Sequence, residues 1–186
     1  MSDAPEADPR QQIIDARKRS LAGCSNARNA IALLADTNSF TEYGLLAGHT
    51  TAVDDDGPSD GVVGGVCDIN GHPVVVAAHD RSVENGTHSE RNMRKLAKLI
   101  TIAVTNRWPL VVFIEGDGSR PTDPRPAPPI VNYTRARWDV LEGLTEMSGW
   151  APTVAVAMGP TCDSHAAMTF LCDLIIATPD AEFGSN

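Results

Sequence analysis

The chain has 186 residues, of which 42% are apolar and 21% charged: enough for one domain with a sizeable core, and short for two. A formal net charge of −9 argues against broad nucleic-acid binding, which calls for a basic face, while a ligand with a few phosphates would need only a local basic patch. No stretch approaches the ~20 apolar residues of a membrane span, and the acidic, polar start Met1–Gln12 does not read as a secretory signal, so a cytoplasmic protein is expected.

Residues 1–10 read as a disordered tail. From Gln11 to Leu34 the apolar spacing (Ile13, Ile14, Leu21, then Ile31, Leu33, Leu34) predicts helix, interrupted near Gly23-Cys24-Ser25-Asn26. Asp36 to Ser39 is a turn cluster, Phe40 to Leu46 alternates as an edge strand would, and Asp54 to Gly61 is an acidic loop. Val62–Ile69 and Pro73–Ala78 then predict two strands joined by Asn70-Gly71, the strongest short hairpin signal. A helix over Ser89 to Asn106 sets Met93, Leu96, Ala97, Ile100 and Val104 on one face, with Arg91, Arg94, Lys95 and Lys98 around the rest. Leu110–Ile114 is a continuous apolar run, as in a strand buried on both faces. It is followed by Glu115–Arg120 and then by residues 121–129, where five prolines exclude a packed helix. A helix over Arg135–Ser148, a strand over Thr153–Met158, a helix from Ser164 and a strand over Cys172–Ala177 complete the series, with Ala181–Gly184 opening a further element. The alternation predicts a layered α/β domain, with residues 11–59 as a helical and edge extension before a main unit over 60–186.

Several residue types invite chemistry. Glu115 and Asp117 follow a buried strand, where α/β sheets place their sites, and suit acid/base work, cation binding or plain loop solvation; His79 and Asp80 share that ambiguity. Asp163 or Ser164 suits a helix N-cap, and His165 beside them a general acid or base. Cys162 precedes a helix start, where a thiol can be activated. The four cysteines, Cys24, Cys67, Cys162 and Cys172, contain no CxxC pair, so they are expected as free, buried thiols, and no metal site is expected.

Taken together, several segments resemble the N-terminal half of carboxyltransferase subunits of biotin-dependent acyl-CoA carboxylases, within the crotonase superfamily. Asp60-Gly61-Val62-Val63-Gly64-Gly65 with Asn70-Gly71-His72-Pro73-Val74 resembles the family's "DGVVTG…NGRPV" hairpin. His79–Val83 with Glu90 and Lys95 resembles the strand end and helix start that follow it. Met158-Gly159-Pro160 is similar to its "MGP", and Asp173–Ala177 with Ala181-Glu182-Phe183-Gly184 to the crotonase "D…ADAxFG" element. Ala16-Arg17-Lys18-Arg19, Leu33-Leu34 and Ser39–Glu42 resemble its opening. Two turns differ. The family's "SGGAR" is Gly116-Asp117-Gly118-Ser119-Arg120 here, and its "GPCAGGA" is Gly159-Pro160-Thr161-Cys162-Asp163-Ser164-His165.

The resemblance implies a crotonase-like α/β fold of ββα units whose turns offer an oxyanion hole to the enolate of a CoA thioester. It places the amides of Gly118, Ser119, Cys162 and Asp163 there, with His165 at the helix mouth and Lys95, Arg120 and Gly159 contacting substrate. No cofactor would bind this chain directly. Carboxybiotin would come on a biotin carrier, and a second carboxyltransferase-type chain would complete the site, within an oligomer and without nucleic acid or membrane. Two other readings stay open: a non-catalytic assembly module, and a crotonase-fold enzyme using His165 or Glu115 on a small non-CoA acid.

Overall fold

A computed structural model describes residues 8–47, 58–120 and 130–184. Residues 1–7 of the expected tail, residues 54–57 of the acidic loop and the proline-rich stretch lie outside them. Two helices come first, α1 (Pro9–Ala22) and α2 (Ser25–Leu34). They are separated, as expected, at Gly23-Cys24, with Cys24 in the left-handed region at φ 53°. α1 begins two residues earlier than its apolar spacing shows, because Asp8 accepts from the Arg10 amide (3.0 Å) and Pro9 starts the helix.

The sheet runs β1 (Thr41–Glu42), β2 (Val62–Ile69), β3 (His72–His79), β4 (Leu110–Gly116), β5 (Thr153–Cys162) and β6 (Leu174–Ala177) in spatial order. β7 (Glu182–Gly184) pairs with the far half of β5. β1–β2 and β2–β3 are antiparallel, and β3 to β6 are parallel. Asn70 (φ 52°) and Gly71 (φ 77°) take the positive φ pair that a two-residue hairpin requires. Asp36 locks that turn by accepting from both amides, at 3.0 and 2.7 Å. β1 is far shorter than the alternation of Phe40–Leu46 suggests: only Thr41 and Glu42 pair in register, with Val66 and Gly65, and the Tyr43 amide adds one bond to the Gly64 carbonyl (2.9 Å).

Helices cover both faces. α2 packs Ala27 and Ile31 on one face with Val63, Cys67, Val76, Ala78 and Phe113. On the other, α3 (Glu90–Asn106) buries Met93, Leu96, Leu99, Ile100 and Ala103 beside Ala136, Val140, Leu144 and Met147 of α4 (Ile130–Met147). Burying each such side chain contributes about 1.5–3 kcal/mol. α3 opens with a capping box, in which Ser89 Oγ accepts from the Asn92 amide and Asn92 Oδ1 from the Ser89 amide.

β6 and β7 differ from the rest. Leu174, Ile175, Ile176 and Phe183 are 54%, 38%, 50% and 42% exposed, although their sequence suits a buried strand. β6 also begins two residues later than expected, because Asp173 is engaged in bonds to the amide and hydroxyl of Thr153, both 2.8 Å.

Candidate functional site

β4 and β5 run parallel until Ile114↔Ala157, then slip, so that Gly116 faces Thr161. This irregularity at Glu115 bends the ends of both strands, a device common beside sites. β5 continues four residues past its expected end, to Cys162, and turns through Asp163 into α5 (Ser164–Phe170). The two turns meet: a Cβ added at Gly118 (φ 88°) would stand 2.7 Å from Asp163 Oδ2 and 3.1 Å from Asp163 Cβ. Only glycine satisfies both that approach and that φ.

The first turn is held from behind. The Gly118 carbonyl accepts from the His88 amide (2.8 Å), and the Arg120 amide donates to the His88 carbonyl (2.9 Å). The Gly118 and Ser119 amides donate to no other described residue. Arg120 is a clamp here: its guanidinium pairs with Asp60 at 2.9 Å, with side chains 6% and 1% exposed, and donates to Thr87 Oγ1 and the Thr87 carbonyl, each 3.2 Å. Asp60 also accepts from Ser89 Oγ, and Asn92 Nδ2 donates to the carbonyls of Asp60 (3.1 Å) and Thr87 (3.0 Å). This buried network places the turn and leaves Arg120 no open face for a phosphate.

Three other expected contributors sit differently from their sequence reading. Lys95 is 8% exposed, and its Nζ donates to the Val62 carbonyl at 2.5 Å, so it does not join Arg91, Arg94 and Lys98 in a surface patch. Burial lowers its pKa to about 8, against the pull of Glu42. The Asp163 amide donates to the Gly184 carbonyl (3.0 Å), so it is committed to β7, and Cys162 lies in register with Gly184. The Cys162 thiol is raised, first by desolvation and then by Asp117 and Asp163, which opposes activation by the helix start. Of the four thiols, Cys24 and Cys67 are buried and Cys162 and Cys172 half-buried, and none is in a disulfide.

Asp163 occupies the N-cap position with φ 49°, ψ −111°, but its side chain caps nothing. The backbone keeps a conformation suited to the glycine that the family motif carries there. Gly159 lies beside Glu115, whose Oε2 would be 3.2 Å from an added Cβ. Glu115 is raised by desolvation despite the opposing effect of Arg81, whereas Asp117 is paired with Arg81 at 3.0 Å.

Beneath both turns three imidazoles converge. His79, at the end of β3, places Nδ1 3.1 Å from the Phe113 carbonyl and Nε2 3.1 Å from His88 Nε2. His88 Nδ1 lies 2.7 Å from Ser164 Oγ. His165 stacks on His88, with centroids 3.7 Å apart and planes 15° apart, and meets His79 edge-on at 4.8 Å. The carbonyls of Gly86 and Cys162 face the His165 ring closely enough to favour its charged form, yet neither ring nitrogen makes a well-formed hydrogen bond. Gly116 leaves the space for this ring, since a Cβ there would lie 2.6 Å from His165 Nε2. Burial dominates all three groups: His79 falls to about 4, His165 to about 2 and His88 well below its ordinary value, the latter two also through neighbouring histidines. They are neutral near pH 7. His88 carries no sequence signal, because its partners lie nine and 77 positions away and only the sheet brings them together.

A layered α/β unit with turns meeting at the ends of adjacent parallel strands is the arrangement of a crotonase-like fold. The comparisons narrow that class. The family model described as the carboxyl transferase domain matches residues 19–183, and the chain belongs to that family. It is 30% identical over 165 residues to a propionyl-CoA carboxylase beta chain of Cereibacter sphaeroides, covering 87% of this chain and 31% of that protein. It is 31% identical over 170 residues to the biotin-dependent long chain acyl-coenzyme A carboxylase beta4 subunit of Mycobacterium tuberculosis, covering 89% and 30%. Among solved structures, a transcarboxylase 12S hexamer with hydrolysed methylmalonyl-coenzyme A bound superposes with TM-score 0.80 at 25% identity, covering 93% of this chain and 36% of that one. The chain thus spans about a third of the length of these relatives. No helix among the described residues is long and apolar enough to cross a membrane.

Proposed function

We propose that this chain forms the acyl-CoA side of a carboxyltransferase site. The observation that carries this reading is the contact between Gly118 and Asp163, which joins the β4 and β5 turns and leaves the Gly118 and Ser119 amides with no partner among the described residues. Two such donors suit an enolate oxygen: as the α-carbon of a thioester loses its proton, charge moves to the former carbonyl oxygen and is held there. Carboxybiotin on a carrier protein would supply the carboxyl group, its N–C bond breaking as the new C–C bond forms and the ureido nitrogen left behind taking up the α-proton. The Asp163 amide is committed to the Gly184 carbonyl (3.0 Å), so on this reading Gly118 and Ser119 are the donors.

A further polypeptide surface completes the site. The uncovered apolar side chains of β6 and β7, with Phe170 and Trp138 each 63% exposed, support this. So do relatives about three times longer and the hexameric state named for the transcarboxylase. A second carboxyltransferase-type chain fits that surface, within an oligomer.

The test is calorimetric titration of propionyl-CoA into the chain purified with its native companions, followed by carboxyl transfer from carboxybiotin. Binding with transfer is expected, and Gly118→Val should cut transfer about 10²-fold or more by disturbing the donor turn. Absence of both binding and transfer in the intact assembly would defeat the reading in favour of an assembly module. Turnover of a small free acid without CoA affinity would favour the third reading.

A further inference from the structure

Carboxyl transfer at the turn amides leaves the three imidazoles beneath them unexplained. We propose that His79, His88 and His165 form a three-histidine site for a borderline divalent transition-metal ion of the Zn²⁺ type, tying β3, the segment before α3 and α5 together.

The tautomers suit it. The Phe113 carbonyl can only accept, so His79 Nδ1 carries the proton and its Nε2 presents a lone pair. Ser164 Oγ can accept as readily as donate, so His88 can take the same tautomer and present its own Nε2. Those two Nε2 atoms are 3.1 Å apart, and two nitrogens on a tetrahedral Zn²⁺ with bonds of ~2.0–2.1 Å stand roughly 3.3 Å apart. Phe113 and Ser164 are then the outer partners that orient ligating histidines in metal sites.

His165 makes the case specific. It is 0% exposed and has no well-formed hydrogen bond at either ring nitrogen, a rare deficit for a buried polar group. One ligand atom from each ring falls within 4.8 Å of the others. Because His165 lies flat on His88, its ring must rotate to aim a lone pair at the shared point, and it breaks no hydrogen bond in turning. The competing arrangement is a relay in which Ser164 donates to His88 Nδ1 and His88 Nε2–H donates to His79 Nε2. It satisfies those two rings and leaves His165 facing only the Gly86 and Cys162 carbonyls, with no well-formed hydrogen bond. An all-imidazole set suits Zn²⁺, Co²⁺, Ni²⁺ or Cu²⁺ over Mg²⁺ or Ca²⁺, which take oxygen ligands. With every ligand buried, the ion enters as the chain folds.

The experiment therefore loads the site by folding. The full, untagged chain is unfolded in denaturant with chelator, refolded with Zn²⁺ or Co²⁺, desalted and analysed for metal. About one equivalent should remain per chain, with visible d–d bands for Co²⁺. His79→Gln and His165→Gln should each lower retained metal roughly tenfold or more, while His72→Gln, on the exposed hairpin, keeps it. If His79→Gln does not fold, His165→Gln decides, since its ring makes no hydrogen bond that the fold would lose. Refolded protein with native-like circular dichroism and no retained metal would overturn the site. So would metal held undiminished by both variants.

Discussion

β3 and β6 carry the same sequence signal, a short unbroken apolar run, and end in opposite surroundings. Val75, Val76, Ala77 and Ala78 are 0–1% exposed, whereas Leu174, Ile175 and Ile176 are 38–54% exposed. β3 lies between β2 and β4, with α2 over one face and α3 over the other. β6 has β5 on one side, and its apolar side chains stay about half exposed. An apolar run therefore states what surface a strand requires, while its neighbours decide whether it is covered. Within one sheet, the covered strands hold the fold and the bare pair holds the surface open to association.

The largest effect should come from the covered half. Arg120→Ala leaves the Asp60 carboxylate buried without its guanidinium, so unfolding in denaturant should show a loss of about 3–5 kcal/mol; a loss below 1 would mean that the network opens to water. Leu99→Ala, under β2 and β3, should cost about 2–5 kcal/mol by the same measurement.

Lys95 sharpens the contrast through pH. Its folded pKa, about 8, lies below the ordinary 10.5. Between those values the unfolded chain binds more protons, so this group makes stability rise with pH from about 8 to 10.5, and its cost is fully present below 8. Denaturation midpoints across that window should rise more steeply in the natural chain than in Lys95→Met; parallel profiles would refute it.

Asp163→Gly should raise stability by about 1 kcal/mol, because it relieves a non-glycine residue at φ 49° whose side chain caps nothing. The smallest change should be at the bare edge. Ile176→Ser should alter the stability of the isolated chain by no more than about 0.5 kcal/mol, yet weaken association in sedimentation experiments. A cost as large as that of Leu99→Ala would show that β6 is covered in the free chain.

How far the sequence reached differs between these regions for physical reasons. The hairpin, α3 and β4 were legible because a turn dipeptide, a helical stripe and an apolar run each reflect local geometry. The buried settings of Lys95 and Arg120 were not legible, for a shared reason. A charge in a sequence does not disclose whether its partner is solvent, ligand or a buried residue such as Asp60, dozens of positions away.

The sequence by itself determined the layered α/β rhythm and the family resemblance, since these rest on neighbours along the chain. Only the tertiary structure decided that the turns touch, that β6 lies bare and that His79, His88 and His165 meet. Those are contacts between distant segments, and parallel pairing of β3, β4 and β5 is what carries their ends to one place.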